Sequence, residues 1–328
     1  MLPEEPVALF NMPPLMSSSV SLGMEDYYIY APYEVVARDS LIMVHNFKDD
    51  YHVTAIDLYT GTKQNLLRRG KGPGEALGMN ALTSSSGSKY VNAVEANRGY
   101  LLDFRSQGDS LVCDFRKLPT AGPYTSVVRR DSMVVLGGMF EEGRFMYYNL
   151  KDSSYRYFCD YPEHPDYPEL GYMEKGMLYG SCTLGMKPDG TRFVCVDNIA
   201  GRIDIYNIDD RSISLHKSLD FYPAEVRIES GSRTPFAVRK TNRQGFCDVD
   251  VSDECFYTIY SGRTFEEYGT ALTDCEYLMT FDWEGDPLVC YRLDRPVNSI
   301  SYVPEERAVY GLSVQDEALL VRFDLPEN

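Results

Sequence analysis

The sequence predicts an all-β chain: a six-bladed β-propeller with about four antiparallel strands per blade, formed as one domain over residues 1–328. Three observations predict it. Short runs rich in β-branched and aromatic residues follow one another, bounded by Asp, Ser or Gly. An apolar–Asp/Asn–apolar step recurs along the chain. No window of about a dozen residues carries the 3.6-residue apolar period of an amphipathic helix.

Taken in order, residues 1–29 form a Pro-, Ser- and Met-rich lead with one short strand near Val7–Phe10 or Tyr27–Tyr30. This lead is free to complete the first blade or to close the ring against the last. From Tyr33 the strands YEVVA, LIMVHNF and HVTAIDLY follow in quick succession. Glu163–Leu178 has room for a helical turn, limited by Pro165 and Pro168.

The recurrent step is Ile56-Asp57-Leu58, Leu102-Asp103-Phe104, Tyr148-Asn149-Leu150, Tyr206-Asn207-Ile208, Phe281-Asp282-Trp283 and Phe323-Asp324-Leu325. Its intervals are 46, 46, 58, 75 and 42 residues. A period in the low forties with several strands per unit marks a propeller blade, which completes its core only by stacking on its neighbours. Six steps give six blades, at roughly 30–60, 61–106, 107–151, 152–209, 210–284 and 285–328. The Asp/Asn is expected where a blade's last strand turns toward the next blade, bonding the backbone two residues on.

The net charge of −17 disfavours nucleic acid and anionic membrane surfaces as direct partners. No stretch approaches the roughly 20 apolar residues of a spanning helix. Residues 1–16 lack the basic and long apolar regions of a signal peptide, which leaves a cytoplasmic chain and a processed exported chain both open. Eight cysteines occur without a C-x-x-C pair and mostly inside apolar runs, which reads as small buried hydrophobes. In an exported chain a Cys247–Cys255 disulfide is open.

The run LLRRGKGPGEALGMNALT, with Gly70, Gly72, Pro73, Gly74 and Glu75, resembles the NHL-repeat consensus. It is similar to TolB-like/NHL-like six-bladed propeller proteins of the Bacteroides group. The other blades lack the glycine run, so the array is not a regular NHL one. The resemblance implies a processed lipoprotein of the periplasm or cell surface.

Several stretches invite a chemical reading. Arg69–Glu75 is not a P-loop, because Lys71 lies between glycines, no Ser/Thr follows it and Pro73 removes a donor. It reads as a positive-φ turn between a blade's first two strands. His45 and His52 flank a hairpin containing Asp49-Asp50 and read as part of a solvated turn. No G-x-S-x-G elbow is present. Asp248 and Asp250 alternate onto one strand face. With Asp197, Asn198, Glu95 and Asn97 they make up the set from which a channel Ca²⁺ would draw ligands.

The long intervals hold DYPEHPDYPELGYMEKG at 160–176 and FYPAEVRIESGSRTPFAVRKTNR at 221–243. Unstructured loops of such length are usually functional or disordered. Both are placed at the same step of their blades as the Gly-Pro-Gly run, hence on one face. Tyr and Arg are the types enriched at interface hot spots. The expected function is therefore a non-catalytic binding or scaffold propeller of the cell envelope, a monomer without a cofactor. Tyr167, Tyr172, Arg227, Arg233, Arg239, Arg69 and Glu75 would contact a protein or glycan-like ligand. The alternative is a metal-dependent lactonase- or esterase-like hydrolase, with Asp197, Asn198, Asp248 and Asp250 at a Ca²⁺ in the central channel.

Overall fold

Alternation gives a strand two faces, and in the middle strands of this chain both faces are apolar. Leu41–Asn46 buries Ile42, Met43, Val44, His45 and Asn46 in succession, whereas Ser110–Lys117 has no fully buried residue. A sheet buried on both sides in its middle and wet at one edge must stand between two others. A closed ring of such sheets satisfies every blade at once. The computed structural model has this arrangement. It describes residues 2–326 apart from 12, 20–31, 39, 48, 85–89, 109, 121, 210–211, 229–235 and 316–317.

From inner to outer strand, blade 1 is Pro32–Arg38, Leu41–Asn46, Tyr51–Asp57 and Lys63–Arg68. Blade 2 is Asn80–Ser84, Val91–Glu95, Tyr100–Gln107 and Ser110–Lys117. Blade 3 is Tyr124–Arg130, Met133–Gly138, Phe145–Asn149 and Tyr155–Phe158. Blade 4 is Cys182–Met186, Arg192–Asp197, Gly201–Asp209 and Ser212–Tyr222. Blade 5 is Phe246–Val251, Cys255–Tyr260, Cys275–Asp282 and Pro287–Val297. Blade 6 has Ser299–Val303, Ala308–Ser313 and Leu319–Asp324, and Ser17–Ser19 pairs with the last of these as its outer strand.

The blades are shifted from the expected boundaries. The Asp/Asn step lies on each third strand, at or near its end except for Asp103 in mid-strand, and in blades 1 to 5 it precedes the hairpin to the fourth. Asp57, Asn149 and Asp282 accept backbone N–H groups of those turns, from Tyr59 and Thr60, from Lys151, and from Glu284 and Asp286. Asp103 instead bonds Asn92 and Arg129, and Asn207 accepts from Arg192. The residue type marked a turn correctly, but nothing local says which turn of the blade it is.

The N-terminal lead straps the ring. Pro6–Leu9 is a 3₁₀ turn, not the expected strand, because Pro6 at its start presets the helical φ. Tyr27–Tyr30 lies outside the described residues. Leu2, Val7, Leu9 and Phe10 pack on the joint of blades 4 and 5. Pro14–Leu15 then runs parallel to Pro287–Val297, and Ser17–Ser19 enters blade 6.

Each of the six joints holds its own apolar cluster. Inner strands are also stapled to one another all round the ring. Glu34 accepts Leu82 N, Asn80 donates to Tyr124 O, and Ser126 meets Cys182. Thr183 donates to Cys247 O, Asp248 accepts from Ser299, and Ser299 receives Val35 N. Among the described residues no helix is long and apolar enough to cross a membrane.

Candidate functional site

Strands alternate in direction, so the connections from a fourth strand to the next blade leave on the same face as those from second to third. Call this the upper face. Three unusual connections emerge there: 69–79, 159–181 and 223–245, each between an outer strand and the next inner one. The Gly-Pro-Gly run is thus an inter-blade connection, not a turn between a blade's first two strands. A fourth, 261–274, joins the second and third strands of blade 5 and carries the short helix Phe265–Tyr268. The opposite face has tight hairpins such as 58–62, 131–132 and 252–254.

The two longest connections pack on each other over blade 4. Tyr161, Leu178 and Tyr179 from the first bury against Ala224 and Val226 from the second, with Ala200 beneath. His164 Nε2 donates to Ala224 O at 2.7 Å, and its Nδ1 accepts Asp166 N. Past the prolines, Tyr172–Tyr179 forms the helix of this layer. Gly176 sits where a Cβ would press on Met139 at 3.0 Å, so the glycine lets the helix lie close on the blade 3 turn.

Exposed apolar surface concentrates on this face. Thirteen large hydrophobic side chains are exposed among the described residues, and eight are here: Tyr33, Phe47, Leu77, Tyr172, Met173, Val238, Phe265 and Tyr268. Beside them the hairpin of Val226–Ile228 and Phe236–Val238 presents Arg227, Arg239 and Lys240 around an open groove of about 420 Å³. Lys240 lies over the Phe265 ring. Tyr172 is exposed, while Tyr167 is half-buried against His164. Arg233 lies outside the described residues.

Arg69 and Glu75 are on the face but occupied by it. Arg69 donates to the carbonyls of Asp49 and Asn46, fastening the connection to the neighbouring turn. Glu75 accepts Gly72 N at 2.9 Å, and a Cβ at Gly70 would overlap its carboxylate. The glycines therefore make room for a side chain that closes its own loop. Gly74 supplies the positive φ of 74°. Arg243 likewise pairs with Glu4 and Glu5 of the N-terminal strap.

The channel carboxylates do not converge. Asp248 Oδ2 accepts Ser299 Oγ and Ile300 N, and Asp250 Oδ2 accepts Ser301 Oγ and Tyr302 N. These bonds stitch blade 5 to blade 6. Burial in the narrow lumen pushes Asp248 up to about 7 and Asp250 to about 6, against those hydrogen bonds. The space beside them is about 20 Å³, room for a single water. Asp197 lies instead between blades 3 and 4, where burial raises it to about 6. Its Oδ1 caps the turn at Ile199 and Ala200, and its Oδ2 has no partner. Asn198 belongs to the same turn. Glu95 is buried against Leu77 N and Arg98. Among the described residues no group of three His, Cys, Asp or Glu is placed to hold a metal.

His45 and His52 are buried, not part of the solvated turn that the sequence suggests. The hairpin loop is only 47–50, so His45 and His52 stand on strands and are buried between blades. His45 Nδ1 bonds Glu34 at 2.8 Å. Burial pushes His52 down to about 4. A concavity of about 840 Å³ is on the lower face between blades 1 and 2, lined in part by Arg38, Gln64 and Arg105. Its polar groups are engaged: Gln64 bridges both backbone groups of Leu111, and Arg105 pairs with Asp114 at 2.6 Å. The upper face remains the better candidate.

Residues 14–305 match the family described as TolB-like 6-blade propeller-like. No curated protein matches the chain. Among solved structures, a luciferin-regenerating enzyme aligns at 9% identity and TM-score 0.51, over 94% of this chain and 95% of that one. The β-propeller domain of Cps50 (Swd1) from Myceliophteria thermophila aligns at 10% identity and TM-score 0.48, over 90% and 97%. At these identities the likeness concerns the fold alone, and one fold hosts many functions.

Proposed function

Because the chain belongs to the TolB-like six-bladed propeller family, we propose that it is a non-catalytic binding propeller of the cell envelope that holds its partner on the upper face. One observation carries the reading: among the described residues, eight of thirteen exposed large hydrophobics are gathered there. Contiguous exposed apolar surface marks interaction sites. Aromatic and arginine side chains are those on which binding energy concentrates. The partner is a protein with an acidic patch, which suits Arg227, Arg239 and Lys240 beside Tyr172, Phe265 and Tyr268. Propellers of this family are typically periplasmic, which supports an envelope location.

The test is capture from an envelope extract on immobilised protein, alongside a glycan array. Arg239→Ala with Tyr172→Ala should lose the captured species, while Tyr59→Ala on the lower face keeps it. Equal capture by the upper-face variant, or a glycan hit in place of a protein, overturns the reading.

A further inference from the structure

At the upper end of the joint between blades 3 and 4 is a polar cluster that the binding face does not use. Cys182 opens the inner strand of blade 4 and Cys195 lies on the next strand. The register pairs Cys182 with Asp197 and Leu184 with Cys195. Both thiols are therefore on one face of the sheet as diagonal neighbours, turned toward blade 3. Both are free, and each meets a polar side chain of blade 3. Arg144 of blade 3 donates to Cys195 Sγ at 3.2 Å and to Asp204 at 2.6 Å. Ser126 Oγ is 3.8 Å from Cys182 Sγ.

Cys247 and Cys275 are neighbours too, but burial, Cys247 and the carboxylates of Asp248 and Asp274 all push Cys275 up, whereas this pair faces Arg144. Burial pushes Cys159 up to about 11 and Cys290 to about 12, the behaviour of inert thiols. The adjacent Cys195 side chain lowers Cys182, and Arg144 works in the same direction against burial. Its neighbour Ser181 is exposed on the upper face, so a small oxidant has a short approach. Cys247 and Cys255 are free as well, at opposite ends of one hairpin.

We propose that Cys182 and Cys195 form a peroxide-reactive dithiol, with Cys182 the attacking sulfur and Cys195 the resolving one. The Cys182 thiolate attacks an oxygen of hydrogen peroxide and the O–O bond breaks. Hydroxide leaves and takes up the proton that Cys182 gave to solvent, forming water. Cys182 is now a sulfenic acid. The Cys195 sulfur attacks it, the S–O bond breaks, and the hydroxyl leaves as water with the Cys195 proton. Two thiols and one peroxide become one disulfide and two waters. Diagonal partners start about 7–8 Å apart at Cα, so closure draws the upper ends of the two strands together. Cys182 is the first residue of its strand, so the movement falls on one ladder pair, Cys182 with Asp197.

Wild-type protein treated with hydrogen peroxide, alkylated under denaturing conditions and peptide-mapped tests this. The expected result is one disulfide joining the Cys182 and Cys195 peptides, with the other six thiols alkylated. In Cys195→Ser, dimedone should label Cys182; in Cys182→Ser, Cys195 should stay reduced. Both cysteines unchanged in the wild type, a bridge forming first elsewhere, or Cys195 oxidised equally in Cys182→Ser would each overturn the assignment. The wild-type map decides even where a variant fails to fold.

Discussion

The ring and the layer of connections over blade 4 are built on opposite plans. Every joint of the ring has an apolar cluster, and its inner strands are stapled by hydrogen bonds. The layer has one small cluster and turns Tyr172 and Met173 outward. The lower face shows how little chain the ring needs to join its strands, since 131–132 and 252–254 suffice. The connections 159–181 and 223–245 exceed that need, and extra chain on a rigid scaffold is where binding residues concentrate. Ring substitutions should therefore cost folding, and layer substitutions should cost binding.

The largest effect is expected from deleting residues 2–19. The strap inserts Leu2, Val7, Leu9, Phe10 and Leu15 into two joints and supplies the outer strand of blade 6. Burying each large side chain is worth about 1.5–3 kcal/mol, against a total stability of about 5–15 kcal/mol. The truncated chain should lack a cooperative thermal transition by near-ultraviolet circular dichroism. A midpoint equal to wild type would show that the ring closes without its strap.

Next comes the buried ion pair. Arg144 and Asp204 are each 1% exposed and 2.6 Å apart. Asp204→Ala leaves an uncompensated buried charge and should lower stability by about 3–5 kcal/mol in denaturant titration. A cost below about 1 kcal/mol would mean that Arg144 finds water.

The channel stitch gives a pH signature. Asp248 titrates near 7 in the folded chain and near 3.9 unfolded. Its contribution favours folding below about pH 4 and is lost as pH rises through 7. His52, held down at about 4, works the other way: its contribution is present above about 6.5 and lost as pH falls through 4. Asp248→Asn should stabilise by about 1–3 kcal/mol at pH 8 and change little at pH 4. Melts at the two pH values check this, and an equal change at both would contradict it.

The smallest effect belongs to the layer. Tyr172→Ala and Phe265→Ala are surface truncations and should shift stability by no more than about 0.5 kcal/mol in denaturant titration. A loss of several kcal/mol would make these residues part of the fold.

The blade count was legible because turn residues recur, and Asp57, Asn149 and Asp282 do cap turns. The phase was not, since a capped turn looks alike at every hairpin. The shared face survived the phase error, because 69–79, 159–181 and 223–245 keep a common step. Arg69 and Glu75 look like ligand contacts in sequence because sequence does not show that a charged side chain will fasten or close its own loop. The Arg144 cluster was missed, as its members come from two blades. The one signal was a charge inside apolar alternation, Asp204 in RIDIY.

The most direct test of the central claim is hydrogen–deuterium exchange on the chain with and without its captured partner. Protection should fall on peptides from 159–181, 223–245 and 261–274, with the hairpins at 58–62 and 131–132 unchanged. Protection confined to those lower hairpins would contradict the account.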